Sequence, residues 1–448
     1  MFFIGVTILL LHTLLFSYVW WVFYSERIVV PFYRKGNYLV IALYMVILYV
    51  FSRTYGGYRI GYYRISEIVY SQVLALGFTN VITYFQISLI GRQFLWLVPM
   101  LVMTVMQMAL SVLWACGANF VYYHMFPPLK MLLVYGSRSA ESLAFKMSKR
   151  PDKYHICEAV GTNVGYKELT DKIAGFEAVV LCDVKSVLRN KLMKFCYDKS
   201  IRTYVTPKLS DIIIRGANTI HLFDTPLLLC RNNGLSVEQR VSKRTLDVVL
   251  SSLVLVVASP FMLLAAAAIK LYDRGPVLFK QDRLTQNGRV FQIYKFRSMV
   301  RNAERDGVAR LMSRHDKRVT PVGRVLRAVH IDELPQLFNV LKGDMSLVGP
   351  RPERPELAKK YKNHMPEFEY RLKVKAGVTG YAQILGKYNT TPYDKLKLDL
   401  FYIQGYSFLL DLKLILMTIK IFFIPESSEG IPDGKVTPIE NENDDKEE

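Results

Sequence analysis

LDVVLSSLVLVVASPFMLLAAAAIKL, residues 246–271, is a run of 26 mostly apolar residues, long enough to cross a bilayer as one helix. Its flanks speak against a simple crossing. Lys243 and Arg244 precede the run while Lys270, Arg274 and Lys280 close and follow it, and the bias of positive charge toward the cytoplasmic face then puts both ends on one side. Midway, Pro260 removes a backbone donor and crowds the preceding turn, and Ser259 can satisfy the carbonyl that is freed. A fifth spanning helix is the alternative. The favoured reading is a helix-break-helix that enters the membrane, bends at Ser259-Pro260 and leaves on the side it entered.

Upstream, residues 2–24 (FFIGVTILLLHTLLFSYVWWVFY) can span a bilayer and have no small-residue cleavage site after a basic start, which marks an anchor and not a signal peptide. Further apolar spans follow at about 38–52, 66–90 and 94–123, the third weakened by Glu67, Gln72, Asn80 and Gln86. A helical transmembrane region of four spans over 1–126 is expected. Loop charges orient it poorly, because Arg27, Arg34 and Lys35 rival Arg53, Arg59 and Arg64. From Lys130 short apolar strands alternate with helical stretches, the rhythm of a parallel-sheet domain, so an α/β Rossmann-like module is expected over 129–230. Its first turn, GSRSAE, offers Gly136 alone where a dinucleotide loop wants GxGxxG. A structural or regulatory module is the blander reading of this part.

Downstream, 272–406 is polar and basic, with turns at DRGPV, TQNGR and KGD. The run SFLLDLKLILMTIKIFF (407–423) carries Asp411, Lys413 and Lys420, charges that spanning would strand in lipid, so an interfacial or packed helix is expected. Residues 425–448 hold nine acids against two lysines and read as a disordered acidic tail. The net charge of +20 over 448 residues therefore understates how basic the remainder is. Such a surface suits anionic headgroups, phosphate-bearing substrates or nucleic acid; with no RNP, helix-turn-helix or zinc-finger pattern, no nucleic-acid partner is expected. Five cysteines without a CxxC pair and seven histidines without HExxH spacing give no disulfide framework and no histidine or cysteine metal site.

The residues that can do chemistry gather in AVHIDELPQLFNVLKGDMSLVGPRPE (328–353) and just before it. Thr320-Pro321 is a helix start, and Arg324 and Arg327 ride on the helix it opens. Asp332 is then expected to cap a second helix, ELPQLFNVL, with Pro335 in its first turn and Gly343 as its stop. That places Asp332 and Glu333 where free backbone N–H groups favour negative charge. Alone, a capping acid with an acidic first turn is ordinary helix chemistry. The neighbours ask for more: Arg351 stands between two prolines that fix its aim, and an arginine fork matches phosphate oxygens, as does a helix N-terminus. In YKFRSM (294–299), Lys295 and Arg297 alternate with apolar residues, as a strand presents one face to a site. Two carboxylates among so many cations are what metal-assisted phosphoryl transfer needs.

Four blocks in fixed order now carry a resemblance: KRTLDVVLSSLVLVVASP (243–260), GPVLFKQDRLTQNGRVFQIYKFRSM (275–299), IDELPQLFNVLKGDMSLVGPRP (331–352) and KAGVTGYAQI (375–384). From about Lys243 to Phe423 the chain resembles the bacterial sugar transferases, also called polyprenyl-phosphate hexose-1-phosphate transferases or monotopic phosphoglycosyl transferases. The four spans and the Rossmann-like module are similar to the layout of the family's long members, the undecaprenyl-phosphate galactose phosphotransferases among them. The resemblance implies a mainly α catalytic domain over 240–424 with a re-entrant membrane helix at 246–271, broken at Ser259 and Pro260.

It also implies a reaction. Asp332 would attack the β-phosphate of a UDP-sugar, release UMP and hold the phosphosugar covalently; undecaprenyl phosphate would then take it, giving a polyprenyl-diphosphate sugar by a ping-pong route. Glu333 would be the partner of Asp332 and a Mg2+ ligand, and Arg351 would hold a phosphate. Lys295 and Arg327 match active-site positions of the family, and Asp411 matches an acidic residue near its C-terminus. The implied setting is the bacterial inner membrane, crossed several times, with the catalytic domain and N-terminus in the cytosol and membrane lipid around it, at the first membrane step of exopolysaccharide, capsule or O-antigen synthesis. Galactose, glucose and N-acetyl sugars stay open as donors, as does a homodimer. The alternatives to the transferase are a non-catalytic membrane scaffold or nucleotide-sensing regulator of polysaccharide assembly, and a glycosyltransferase, for which no DxD pattern stands beside the site.

Overall fold

The apolar N-terminal third folds into helices in the computed structural model, which describes residues 2–28, 31–32, 35–136, 140–230, 234–300, 318–386 and 390–422. They are α1 (Phe2–Val19), prolonged by a π-helical turn Trp20–Tyr24, α2 (Lys35–Tyr55), α3 (Ile65–Ile90) and α4 (Val98–Met125), each long and apolar enough to cross a membrane. Of the polar residues that weaken the third span, Gln72 and Asn80 are buried and Glu67 lies in its first turn. Asn80 accepts from the Tyr44 hydroxyl at 3.0 Å and donates to Thr104 Oγ1 at 2.8 Å and to Gln107 Oε1 at 3.0 Å, while Gln107 Nε2 reaches the His12 carbonyl at 3.1 Å. Lipid offers these groups no partner, so pairing across all four helices removes the cost and fixes their register. Glu67 accepts from the Arg64 N–H at 3.0 Å and so caps the start of α3.

A mixed α/β region follows: β1 (Leu129–Tyr135), α5 (Glu141–Ser148), β2 (Tyr154–Gly161), α6 (Tyr166–Ala174), β3 (Ala178–Cys182), α7 (Ser186–Asp198) and β4 (Arg202–Val205). The sheet order is β2-β1-β3-β4 with every pair parallel. β3 is buried along its whole length, as an apolar strand covered on both faces must be: Leu132 and Val134 pack with Leu169, Ile173 and Leu192, whereas Met131 and Leu133 pack with Ala140 and Met147. Of the first loop, Ser137–Ser139 lie outside the described residues.

The chain divides into two compact units, Met1–Pro207 and the part from Lys208 onward. Residues 208–230, grouped from sequence with the α/β module, fall in the second. There α8 (Leu209–Arg215) is followed by a hairpin of β5 (Asn218–Leu222) and β6 (Thr225–Leu229). Next come α9 (Val237–Asp273), the antiparallel pair β7 (Leu278–Leu284) and β8 (Val290–Phe296), and α10 (Pro321–Ala328). A 3-10 turn Ile331–Glu333 then leads to α11 (Gln336–Lys342), β9 (Ser346–Val348) and α12 (Pro355–His364). A 3-10 segment Pro366–Lys373, β10 (Gly377–Thr379), α13 (Tyr381–Leu385), α14 (Pro392–Gln404) and α15 (Phe408–Phe422) complete it. Val340, Met345, Val348, Phe368, Leu396, Tyr402 and Leu414 form its core. The acidic stretch 425–448 lies outside the described residues.

The apolar run 246–271 is inside α9, a helix of 37 residues that continues through Pro260. Proline leaves the Val256 carbonyl without its usual donor, and Ser259 Oγ donates to that carbonyl at 2.8 Å. Toward the N-terminus, Arg244 donates to the Val340 and Leu341 carbonyls at 2.6 Å each, and Asp247 accepts from Ser346 Oγ at 3.0 Å and Leu347 N at 2.9 Å. Toward the C-terminus, Ala265 and Ile269 pack with Phe296 and Leu326. Between these anchorages Leu253, Val256, Val257, Phe261, Leu263 and Leu264 are all more than half exposed. α15 is a packed helix with Asp411 and Leu414 buried.

Candidate active site

Backbone features set each side chain of the site. Thr320 caps α10, accepting from Gly323 N at 2.9 Å. A Cβ on Gly323 would come within 2.0 Å of the Ser298 carbonyl, so only glycine lets α10 lie this close to the end of β8. That closeness brings Arg327 Nε to Ser298 Oγ at 2.8 Å. After α10 the chain reverses at His330, whose φ of +56° is left-handed, and enters the turn that carries Asp332 and Glu333.

Asp332 does not cap the helix that follows. α11 starts at Gln336 with Pro335 in the N-cap position. The reason is local: counted from Asp332, the third helical position is Pro335, which has no N–H for a capping carboxylate to accept. Asp332 is instead 8% exposed on the 3-10 turn, and burial first, then the charge of Glu333, pushes its carboxyl up to about 6 against Lys295 and Arg327.

Glu333 goes the other way. Burial works to raise it, but Lys295 and then Arg351 outweigh that and hold it well below the usual carboxylate range. Lys295 Nζ donates to Glu333 Oε1 at 2.6 Å and Arg351 Nη2 reaches the same oxygen at 3.4 Å. Lys295 is delivered by register: Asn339 on α11 accepts from Tyr294 N at 3.0 Å and donates to the Gln292 carbonyl at 2.7 Å, clamping β8 to the helix behind Glu333. Arg351 is delivered by a braced turn. Gly349 N donates to the Thr379 carbonyl at 2.8 Å, Gly377 N to the Pro350 carbonyl at 2.9 Å, and Arg371 Nη2 to the Arg351 carbonyl at 3.0 Å. Arg371 is itself buried and paired with Glu353 at 3.3 Å and Asp399 at 2.8 Å.

The structure thus gathers Asp332, Glu333, Lys295 and Arg351, with Arg327 near enough to act on Asp332. Two candidates are placed elsewhere. Arg297 pairs with Asp273 at the C-terminal end of α9, because β8 ends at Phe296 and the alternation that aims Lys295 no longer governs the next residues. Asp411 is buried against Lys243 Nζ at 2.6 Å and the Tyr402 hydroxyl at 2.7 Å, and burial raises its carboxyl against the pull of Lys243. It fastens α15 to α9. Lys243, Asn339 and Arg371 are not among the sequence-predicted site residues; Lys243 heads the KRTLD block, a signal the sequence does carry, whereas nothing local marks the other two.

Among the described residues no group of three histidine, cysteine or acidic side chains could hold a metal. The donor set at the site is two neighbouring carboxylates, one oxygen of Glu333 being taken by Lys295. That fits Mg2+, which is commonly held by one or two carboxylates with substrate phosphates and water completing the shell.

The bacterial sugar transferase family model matches residues 238–425, a span that contains every residue of this site. The UDP-glucose:undecaprenyl-phosphate glucose-1-phosphate transferase of Caulobacter vibrioides is 44% identical over 204 residues, covering 44% of this chain and 75% of that protein. The chain belongs to the bacterial sugar transferase family. Two longer relatives also match this sugar transferase. The Klebsiella pneumoniae UDP-glucose:undecaprenyl-phosphate glucose-1-phosphate transferase is 41% identical over 220 residues, 48% of this chain and 45% of its own length. The Salmonella typhimurium undecaprenyl-phosphate galactose phosphotransferase is 35% identical over 234 residues, 48% of each chain. The chain is therefore matched to about half the length of these two. With five helices among its described residues long and apolar enough to cross a membrane, it is a membrane protein.

Proposed function

We propose that this sugar transferase moves a hexose-1-phosphate from a UDP-sugar to undecaprenyl phosphate, with Asp332 as nucleophile. One observation carries the reading: a buried, uncapped aspartate sits beside a glutamate that two cations keep ionised. An Asp332 oxygen attacks the β-phosphorus, the bond from that phosphorus to the bridging oxygen breaks, and UMP leaves with the electron pair. A phosphate oxygen of the lipid then attacks the same phosphorus, and the aspartyl oxygen departs as carboxylate. With its carboxyl near 6, Asp332 is mostly ionised at neutral pH, yet among the described residues no cap or close salt bridge blunts it. Lys295 and Arg351 meet phosphoryl oxygens in this scheme while keeping Glu333 charged. Glu333 is the residue that would hold Mg2+, whose chemistry there is to neutralise charge on the diphosphate.

The lipid acceptor accounts for α9. Its N-terminal half is anchored to α11 and β9 and its C-terminal half to β8 and α10 of the same domain, whereas Asp247 and Ile269 would stand about 33 Å apart along a straight helix. A bend at Pro260, with the bare apolar middle in lipid, reconciles the two and supports a re-entrant helix. Both ends, the site and the nucleotide donor then share the cytosolic face of the inner membrane. The all-parallel order of the N-terminal sheet supports a Rossmann-like module.

The test is product analysis. Protein in nanodiscs is given Mg2+, undecaprenyl phosphate and in turn UDP-glucose, UDP-galactose and UDP-N-acetylgalactosamine. One of them is expected to yield lipid-linked sugar diphosphate and UMP in equal amounts. Release of UDP would mean that the sugar moves without its phosphate; no product from any donor would leave the scaffold reading.

A further inference from the structure

Beside the site is a cavity of about 480 Å³ that none of Asp332, Glu333 and Lys295 lines. Its link to them is Arg351: the side chain reaches Glu333, and the same residue lines the cavity together with α12 and the 3-10 segment after it. Resting on the transferase reading, we propose that this cavity receives the nucleoside monophosphate part of the UDP-sugar, the part that leaves as UMP.

Length, lining and polarity carry the assignment. With the β-phosphorus at Asp332 and its oxygens on Arg351, the α-phosphate and nucleoside of the donor must continue past Arg351, and this cavity is where the lining continues. Its volume lies within the range of small-molecule sites. Phe368, Leu372 and Val374 give it an apolar wall for a flat pyrimidine. Asn363 offers an amide with both donor and acceptor, the pairing the edge of uracil requires. Lys359 adds a cation for the α-phosphate. The lipid acceptor fits poorly here, since α12 (PELAKKYKNH) has no buried residue and is too polar to face acyl chains.

Two variants test it in the full chain held in nanodiscs. Ala358→Phe narrows the cavity from α12, and Asn363→Ala removes the amide from an exposed position whose loss does not threaten folding. Each is assayed for KM of the UDP-sugar, KM of undecaprenyl phosphate and inhibition by added UMP. Expected is a rise of about tenfold in donor KM and in the UMP inhibition constant, with the lipid KM within about twofold, the pattern of lost donor binding. If the wild type forms product while both variants keep donor KM and UMP inhibition unchanged, the cavity assignment is wrong and the transferase reading stands. If donor and lipid KM rise together, the cavity acts on the fold and not on the nucleotide, and the assignment fails. A wild type that makes no product from any UDP-sugar removes the underlying reading, and this assignment with it.

Discussion

At the scale of single residues, adjacent acids are driven apart. Burial lifts Asp332 toward about 6, while Lys295 and Arg351 overcome the same burial at Glu333. On the proposed route Asp332 attacks as the carboxylate, so the rate of sugar-phosphate capture should fall about tenfold per pH unit below the Asp332 value and level off above it, with Glu333 adding no limb in that range. Lys295→Met removes a charge that lowers Asp332, so the limb should move to higher pH as well as lose amplitude; a limb that stays in place would show Lys295 to be electrostatically remote from Asp332. Asp332→Asn should cost about a thousandfold or more in turnover. The pair of carboxylates and the fixed arginine were legible in sequence because they are local. Arg297 lies just past the end of β8, where strand alternation stops, and its pairing with Asp273 was not legible in sequence. The partner of Asp411 was not legible at all, since Lys243 is 168 positions away.

At the scale of elements, α9 is the deciding piece. Its Ser-Pro pair was legible down to the hydroxyl that takes the freed carbonyl; its anchorages were not, because the Arg244 contacts on α11 and the Asp247 contacts on β9 form only in the folded domain. In a cysteine-free background, Val237→Cys and Tyr272→Cys, both exposed and near opposite ends of α9, should react with a membrane-impermeant thiol reagent from the same face. Labelling from opposite faces would make α9 a spanning helix. The Lys243–Asp411 pair is the other hinge of this element. Lys243→Met leaves a buried carboxylate uncompensated and should cost about 3–5 kcal/mol, a fall in melting temperature on the order of 10 °C. Lys362→Met, which breaks a pair that is half exposed on both sides, should change it too little to resolve.

At the scale of the whole molecule, the family match and the complete site lie in the second compact unit, and the four apolar helices and the parallel sheet lie in the first. Hydropathy marked the apolar helices of the first unit and βαβ rhythm its parallel sheet, and four ordered blocks made the family legible; the donor sugar was not, because epimers differ by one or two hydrogen bonds that no motif records. Chelation of Mg2+ should stop turnover and readdition restore it, with melting temperature unchanged if the ion belongs to the substrate complex and not to the fold. The most direct measurement omits the acceptor. The wild type, with Mg2+ and a UDP-sugar labelled in its β-phosphate but no undecaprenyl phosphate, should hold up to one label per chain, lose it to lipid when acceptor is added, and hold none as Asp332→Asn. A wild type that forms lipid product yet never carries label would contradict the covalent route and leave direct transfer from donor to lipid in its place.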